Sequence, residues 1–320
     1  MKLVIFTPVI KLSAIGRMVS LVTRALVSQG HDVVVVRTES PGFYGMDAHD
    51  FNVDPVSWND TANVFNYIGE ADILVYQIGD NHGFHQGCLE WLPEFSGIVC
   101  LHDYFLGHLF HDWSQHNRHQ AYAILRGWYG DEVALRFFDE QDSDDFIELV
   151  RHLSPMTEWI CSMASGVVTH SSGGIDRVLN SCSGPVFTVS LPYDTPCYTA
   201  KDSSSLFSST GFYRELPDDC VIKINPEDEL CSIQSALELL YEDSVLRDAV
   251  AIDGQLCARR TFTVENYVQK LVECALLSKK AHPVIAAAEY FAGVMRAWGA
   301  TDAVVTMDNT VNPLLIFNCI

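Results

Sequence analysis

The chain has 320 residues, of which 48% are apolar and 19% charged, and a formal net charge of −21. That composition is globular and excludes extended disorder or collagen-like repeats, and at roughly 150 residues per domain the length suits two domains. Forty-one acidic against twenty basic residues, with no basic stripe, argue against a nucleic-acid partner, although a small phosphorylated ligand needs only a helix N-terminus and a few local cations.

In chain order, Leu3 to Thr7 is a short apolar run suited to a buried parallel strand. A polar loop ends at Gly16. Met18, Leu21, Val22, Ala25 and Leu26 then repeat at helical spacing, and Gly30 stops that helix. Val33 to Val36 completes a βαβ unit. Asp60 or Thr61 caps a helix running toward Ile68. Ile73 to Ile78 reads as a strand, Gly87 to Leu92 falls in a short helix, and Ile98 to Leu101 is a strand ending at His102-Asp103. Residues 104–163 read as helical and aromatic-rich. Gly166 to Thr169 is a strand ending at His170-Ser171, Ile175 to Leu179 opens a helix, and Val186 to Leu191 is a strand. This alternation predicts an α/β fold with a doubly wound parallel sheet over about 1–190.

Residues 200–211 are serine-rich and aperiodic, as in a linker. Beyond them, Cys220 to Ile224 reads as a strand. Leu230 to Tyr241, Ser244 to Arg259 and Val264 to Leu277 read as amphipathic helices, Val284 to Trp298 as a further helix, and 302–320 as an apolar tail. The division expected is an N-terminal domain 1–190, a linker 191–211 and a smaller, mostly helical C-terminal α/β domain 212–320.

Ten cysteines form no CxxC pair. Cys100, Cys161, Cys220 and Cys274 sit in apolar contexts that read as buried thiols. No secretory signal is visible, and no apolar stretch reaches the roughly 20 residues of a membrane helix. A cytoplasmic protein, at most peripherally associated with membranes, is expected, with a homodimer among the assemblies to consider.

Ligands of an open parallel sheet gather beyond the C-terminal ends of its strands. Four loops there carry reactive residues: Pro8 to Arg17, Gly79 to His85, His102-Asp103, and His170 to Gly174. The first has one glycine at a helix start and lacks GxGxxG, so a dinucleotide is not expected. The pairs His82/His85 and His108/His111 have neither an HExxH frame nor a cysteine partner. They read as ordinary polar histidines, and no metal is expected. Asp142-Ser143-Asp144 lies in a dense acidic run that reads as a solvated face. His102 can donate to a hydroxyl or act as a base. His170-Ser171-Ser172-Gly173-Gly174 is only loosely like a nucleophile elbow, and no GxSxG exists.

Together, LVIFTPVIKLSAIGRMVSLVTRALVSQGHDVVVV, VYQIGDNHGFHQGCLEWLPEFSGIVCLHDYFLGHLF, VVTHSSGGIDRVL and TGFYRELPDDCVIKINPEDELCSIQSALELLYEDSVLRDAV resemble the family-4-type glycosyltransferases of the GT-B fold, in a bacterial branch. Asp80 stands where that branch often has Asn. The resemblance implies carbohydrate biosynthesis: transfer of a sugar from a nucleotide-sugar donor to a hydroxyl acceptor, which could be a glycan, a lipid-linked sugar or a small molecule. It also implies retention of configuration, with neither metal nor cofactor.

On that resemblance His102 and Asp103 are the catalytic candidates. Gly16, Arg17, Gly79, Asn81, His85, His170 and Ser171 would contact substrate, while Glu215 would remain on the donor side; Arg214 beside it is a donor-side candidate as a nearby cation, not through the resemblance. The chain departs from the family after Pro192. The early part of the second domain is missing, together with its diphosphate-binding arginine and lysine and its pair of glutamates. Pro192 to Ser209 offers Lys201 alone. A diphosphate needs several compensating donors, so a second reading stays open: a non-catalytic module derived from such an enzyme that binds a glycan or a partner. An epimerase or hydrolase is a third.

Overall fold

The computed structural model describes residues 1–140, 146–193, 206–208, 211–279, 303–307 and 315–319. Its centre is a seven-stranded sheet built from β1 (Lys2–Thr7), β2 (Asp32–Arg37), β3 (Val56–Ser57), β4 (Ile73–Ile78), β5 (Ile98–Leu101), β6 (Gly166–Thr169) and β7 (Val186–Thr188). The spatial order is β3-β2-β1-β4-β5-β6-β7, and every pairing is parallel. Ile5 lies opposite Val35 on one side and Val75 on the other. The α/β class with a doubly wound parallel sheet is therefore as the sequence predicts.

Both faces of the sheet are covered, which is why its strands read as continuous apolar runs rather than alternating ones. Val4, Phe6, Tyr76, Ile78, Val99 and Leu101 enter one core layer. Leu3, Ile5, Val33, Val35, Val75 and Cys100 enter the other.

The first layer is roofed by α2 (Thr61–Glu70), α3 (His82–Trp91), α4 (Gly107–Ser114), α5 (Arg118–Tyr129), α6 (Asp131–Asp139), α7 (Phe146–Leu153), α8 (Thr157–Ser162) and α9 (Ile175–Ser181). The second is roofed by α1 (Ala14–Ser28), which presents Met18, Val19, Val22 and Leu26. Ser13 caps α1 by accepting from Gly16 N, and Gly30, at φ +84°, ends it.

The remaining described chain holds a parallel pair, β8 (Leu206–Ser208) and β9 (Ile222–Ile224). It continues with α10 (Glu229–Glu242), α11 (Ser244–Thr261) and a helix α12 over 264–279. An antiparallel pair follows, β10 (Ala303–Met307) with β11 (Leu315–Cys319). Helix α12 returns to the large sheet. Its Tyr267, Val268, Leu271, Cys274 and Ala275 are buried in the second layer beside α1.

Two expected strands are shorter than read. β7 stops at Thr188 because its neighbour β6 ends at Thr169, leaving later residues without a ladder partner. β9 is limited in the same way by three-residue β8. Cys100, Cys161, Cys220 and Cys274 are buried free thiols, as expected. Among the described residues no helix is long and apolar enough to cross a membrane. Asp142-Ser143-Asp144, most of the serine-rich linker and the helix expected at Val284 to Trp298 lie outside the described residues.

Candidate functional site

Strand order reverses about β1, which lies between β2 and β4. The loops after β1 and β4 therefore diverge and open a crevice at the C-terminal edge. The loops after β5 and β6 continue that edge.

Gly79 is where the first, second and third of these loops meet. A β-carbon there would lie 2.8 Å from Ile15 Cδ1, 3.0 Å from Asp103 Oδ2 and 3.1 Å from His85 Nε2. A side chain there would have to push these three neighbours aside.

Beneath this loop His102 Nε2 lies 2.7 Å from Gln77 Oε1. An amide oxygen only accepts, so Nε2 carries the proton and Nδ1 keeps its lone pair. Burial, with His170 and His85 adding to it, holds His102 well below the usual imidazole range. The ring is neutral at pH 7, donates to Gln77, and can accept at Nδ1.

His170 Nδ1 donates to the Val189 carbonyl at 2.9 Å. Its ring stands 4.7 Å from that of His102 and 5.8 Å from that of Tyr267 on α12. Its Nε2 is buried with no hydrogen-bond partner among the described residues, and burial pushes its pKa down to about 4. The C-terminal helix α12 thus packs beneath the same edge.

A second cluster joins the loops after β4 and β5. Asp80 N donates to Asp103 Oδ2 at 2.9 Å. Asp80 Oδ1 accepts from Leu109 N at 2.8 Å, in the first turn of α4, and Oδ2 faces His108 Nδ1 at 2.5 Å. Burial raises the Asp80 pKa, while the Leu109 amide and His108 pull it back.

Several sequence-predicted roles change. Gly16 does not open its helix end to a ligand. Its amide is used by Ser13, and a β-carbon would fall 2.4 Å from the Pro8 carbonyl oxygen, so the close approach there is the chain's own backbone. His85 is only 1% exposed and sits behind Gly79. Its pKa is pushed down to about 4 by burial, so it supports the loop rather than lining open cleft. Asn81 caps α3, its side chain accepting from Phe84 N.

Arg17 is exposed on α1, and Ser171 is half-buried beside His170. Arg214 and Glu215 lie in an exposed 3₁₀ turn. Glu215 accepts from Ser172 N and Ser172 Oγ at 2.6 and 2.8 Å, which ties that turn to the loop after β6. His102, Asp103, Gly79 and His170 lie together along this edge.

Gln77, Asp80, His108 and Tyr267 also lie along this edge, although the sequence assigned them no role there. Their only sequence signal was a polar residue in a buried strand, an aspartate where the family branch has Asn, and an HxxH pair read as ordinary. A cavity of about 400 Å3, lined by Asp72, Ile73, Leu74, Ser96, Ser165, Ser278 and Lys279, lies at the opposite edge of the sheet. Among the described residues no group of three His, Cys, Asp or Glu is placed to hold a metal ion.

No protein-family model matches the sequence, and no curated protein matches it. Among solved structures the chain is similar to an alpha-glucosyltransferase in complex with UDP, at 10% identity and TM-score 0.42, covering 86% of this chain and 100% of that one. A complex of alpha-glucosyltransferase with UDP and DNA containing an HMU base gives 11% identity and TM-score 0.41, covering 86% and 99%. Anabaena HepE in complex with UDP gives 13% identity and TM-score 0.39, covering 85% and 99%. These are what the chain is similar to; its own α/β class is read directly from its parallel seven-stranded sheet.

Proposed function

We propose that the protein is a glycosyltransferase that moves a sugar from a nucleotide-sugar donor to a hydroxyl acceptor at the C-terminal edge of the large sheet. The observation that carries this reading is the meeting of His102, Asp103, Gly79 and His170 along the C-terminal edge of the sheet, beside the β1–β4 point where strand order reverses. Such an edge is where open α/β sheets bind ligands. The order of the segments that resemble family-4-type glycosyltransferases supports the same reading.

His102, neutral and fixed through Nε2 by Gln77, would accept a hydrogen bond from a sugar hydroxyl at Nδ1. Asp103 is exposed beside it and would accept from another. Retention of configuration, metal independence and a cytoplasmic setting belong to this proposal. The donor-side role of Arg214 and Glu215 also belongs to it.

The acceptor is left open. An excess of acidic residues disfavours a nucleic-acid surface, whereas four of the similar structures hold DNA, so the acceptor panel should include DNA beside glycans and small hydroxyl compounds.

Thermal denaturation of the full chain with UDP-, GDP- and TDP-sugars tests the reading. A bound donor raises Tm by mass action, and His102→Ala should lower transfer about 100-fold or more. Transfer near the wild-type rate in His102→Ala would remove that residue from the mechanism. One observation favours the second reading, a non-catalytic glycan- or partner-binding module. Beyond the large sheet the only parallel strands among the described residues are the three-residue pair β8 and β9, a small platform for a diphosphate. No Tm shift with any donor, and no turnover, would leave that reading standing.

A further inference from the structure

We propose that the outer face of α10 is a docking surface for an amphipathic helix with basic flanks, presented by a partner protein. Leu230, Ile233, Leu237 and Tyr241 stand at i, i+3, i+7 and i+11. They therefore form one stripe along the helix, about 16 Å long at a rise of about 1.5 Å per residue. All four are exposed, from 37% at Ile233 to 86% at Tyr241. They adjoin the side of α10 that is buried through Ala236 and Leu240, where the helix packs on β9 and α11. The apolar arc is wider than the surface beneath it, because β8 and β9 pair over only three residues each. Apolar surface left in water as one contiguous stripe marks an interaction site, whereas singly scattered exposure does not.

Charge decides what fits there. Glu227, Asp228 and Glu229 stand at one end of the stripe, Glu238 beside it, and Glu242 and Asp243 at the other end. No lysine or arginine occurs between Lys223 and Arg247. The whole chain has forty-one acids against twenty bases, whereas this stretch has acids alone. Glu238 and Glu242, one turn apart, line the flank of the stripe away from the buried side, and Gln234 Nε2 donates to Glu238 Oε1 at 2.9 Å.

A second copy of this chain would set acids against acids, and an anionic membrane surface would be repelled for the same reason. A helix with leucine-type anchors at the same spacing, and lysine or arginine in the rows beside them, satisfies the stripe and its rim together. None of these residues belongs to the site at the edge of the large sheet, so the docking surface does not depend on sugar transfer there.

The probe is a synthetic helical peptide of 14 residues, the length of α10, with leucines at i, i+3 and i+7 and lysines beside them. Fluorescence anisotropy with the full chain should show saturable binding that weakens as salt rises. A peptide of the same composition with its leucines scrambled out of helical spacing should bind at least about tenfold more weakly, as should one with glutamate for lysine. Leu237→Ser/Tyr241→Ser should weaken the lysine peptide about tenfold or more and leave Tm unchanged, since both side chains are exposed. Glu238→Lys/Glu242→Lys should weaken it by a similar factor. Glu90→Lys/Glu94→Lys, the same charge change on exposed acids at the end of α3, should leave binding within about twofold.

No saturable binding, equal binding of the scrambled peptide, or equal losses from the two charge reversals would overturn the assignment. Light scattering that shows the chain dimerising, or co-sedimentation of the chain with phosphatidylglycerol vesicles, would overturn it as well if Leu237→Ser/Tyr241→Ser abolished the effect. The stripe would then belong to a second copy or to a membrane surface.

Discussion

The large sheet and the α10–α11 pair are built from similar helical periodicity but are finished differently. Around the sheet, apolar residues of both faces are sealed, and α12 closes the second layer with Tyr267, Val268 and Leu271. On α10 and α11, Leu230, Leu237, Tyr241 and Val245 stay exposed, Tyr241 at 86%, while Ala236 and Leu240 are buried. An amphipathic pattern therefore predicts a helix in both places, but only the sheet supplies a surface that buries the pattern. The sheet region, with α12, should act as the stable unit, and α10–α11 should contribute little to it.

Acid should produce the largest effect, and it falls on the sheet alone, because residues 211–261 contain no histidine. His85 and His170 have folded pKa values near 4 against an ordinary 6.5. Between those values the unfolded chain binds more protons than the folded one. Stability is therefore full above about pH 6.5 and falls as the pH drops toward 4, by on the order of 3 kcal/mol per histidine. Urea midpoints at pH 7.5 and 5.0 measure this, and equal midpoints would contradict it.

Leu271→Ala should cost about 2–5 kcal/mol through a cavity beneath the sheet. Leu237→Ala on exposed α10 should stay within about 0.5 kcal/mol. Equal losses in chemical denaturation would erase the contrast between the regions. A smaller effect is expected at Gly16→Ala, where the new methyl group meets the backbone oxygen of Pro8. Overpacking there should cost about 1–3 kcal/mol and lower Tm; an unchanged Tm would mean that the loop after β1 gives way.

Much of the site's frame was legible before its chemistry was. Leu3 to Thr7, Ile73 to Ile78, Ile98 to Leu101 and Gly166 to Thr169 could be read because a strand buried on both faces writes an uninterrupted apolar run. The last two are each followed at once by a histidine, which put His102 and His170 at the edge. The glycines were legible only as glycines. Gly79 clears space for Asp103 and His85, whereas Gly16 clears space for Pro8, and no local pattern separates the two cases.

The Asp80–His108 pair could not be read because its partners are 28 positions apart and meet only when β4 and β5 lie side by side. Local sequence alone determined the α/β class, most strand positions and the apolar faces of the helices, because periodicity and capping act between near neighbours. Tertiary structure decided which face α12 covers, which histidines stay neutral and that His108 meets the distant Asp80 carboxylate, because burial and pairing depend on segments that only the folded sheet brings into contact.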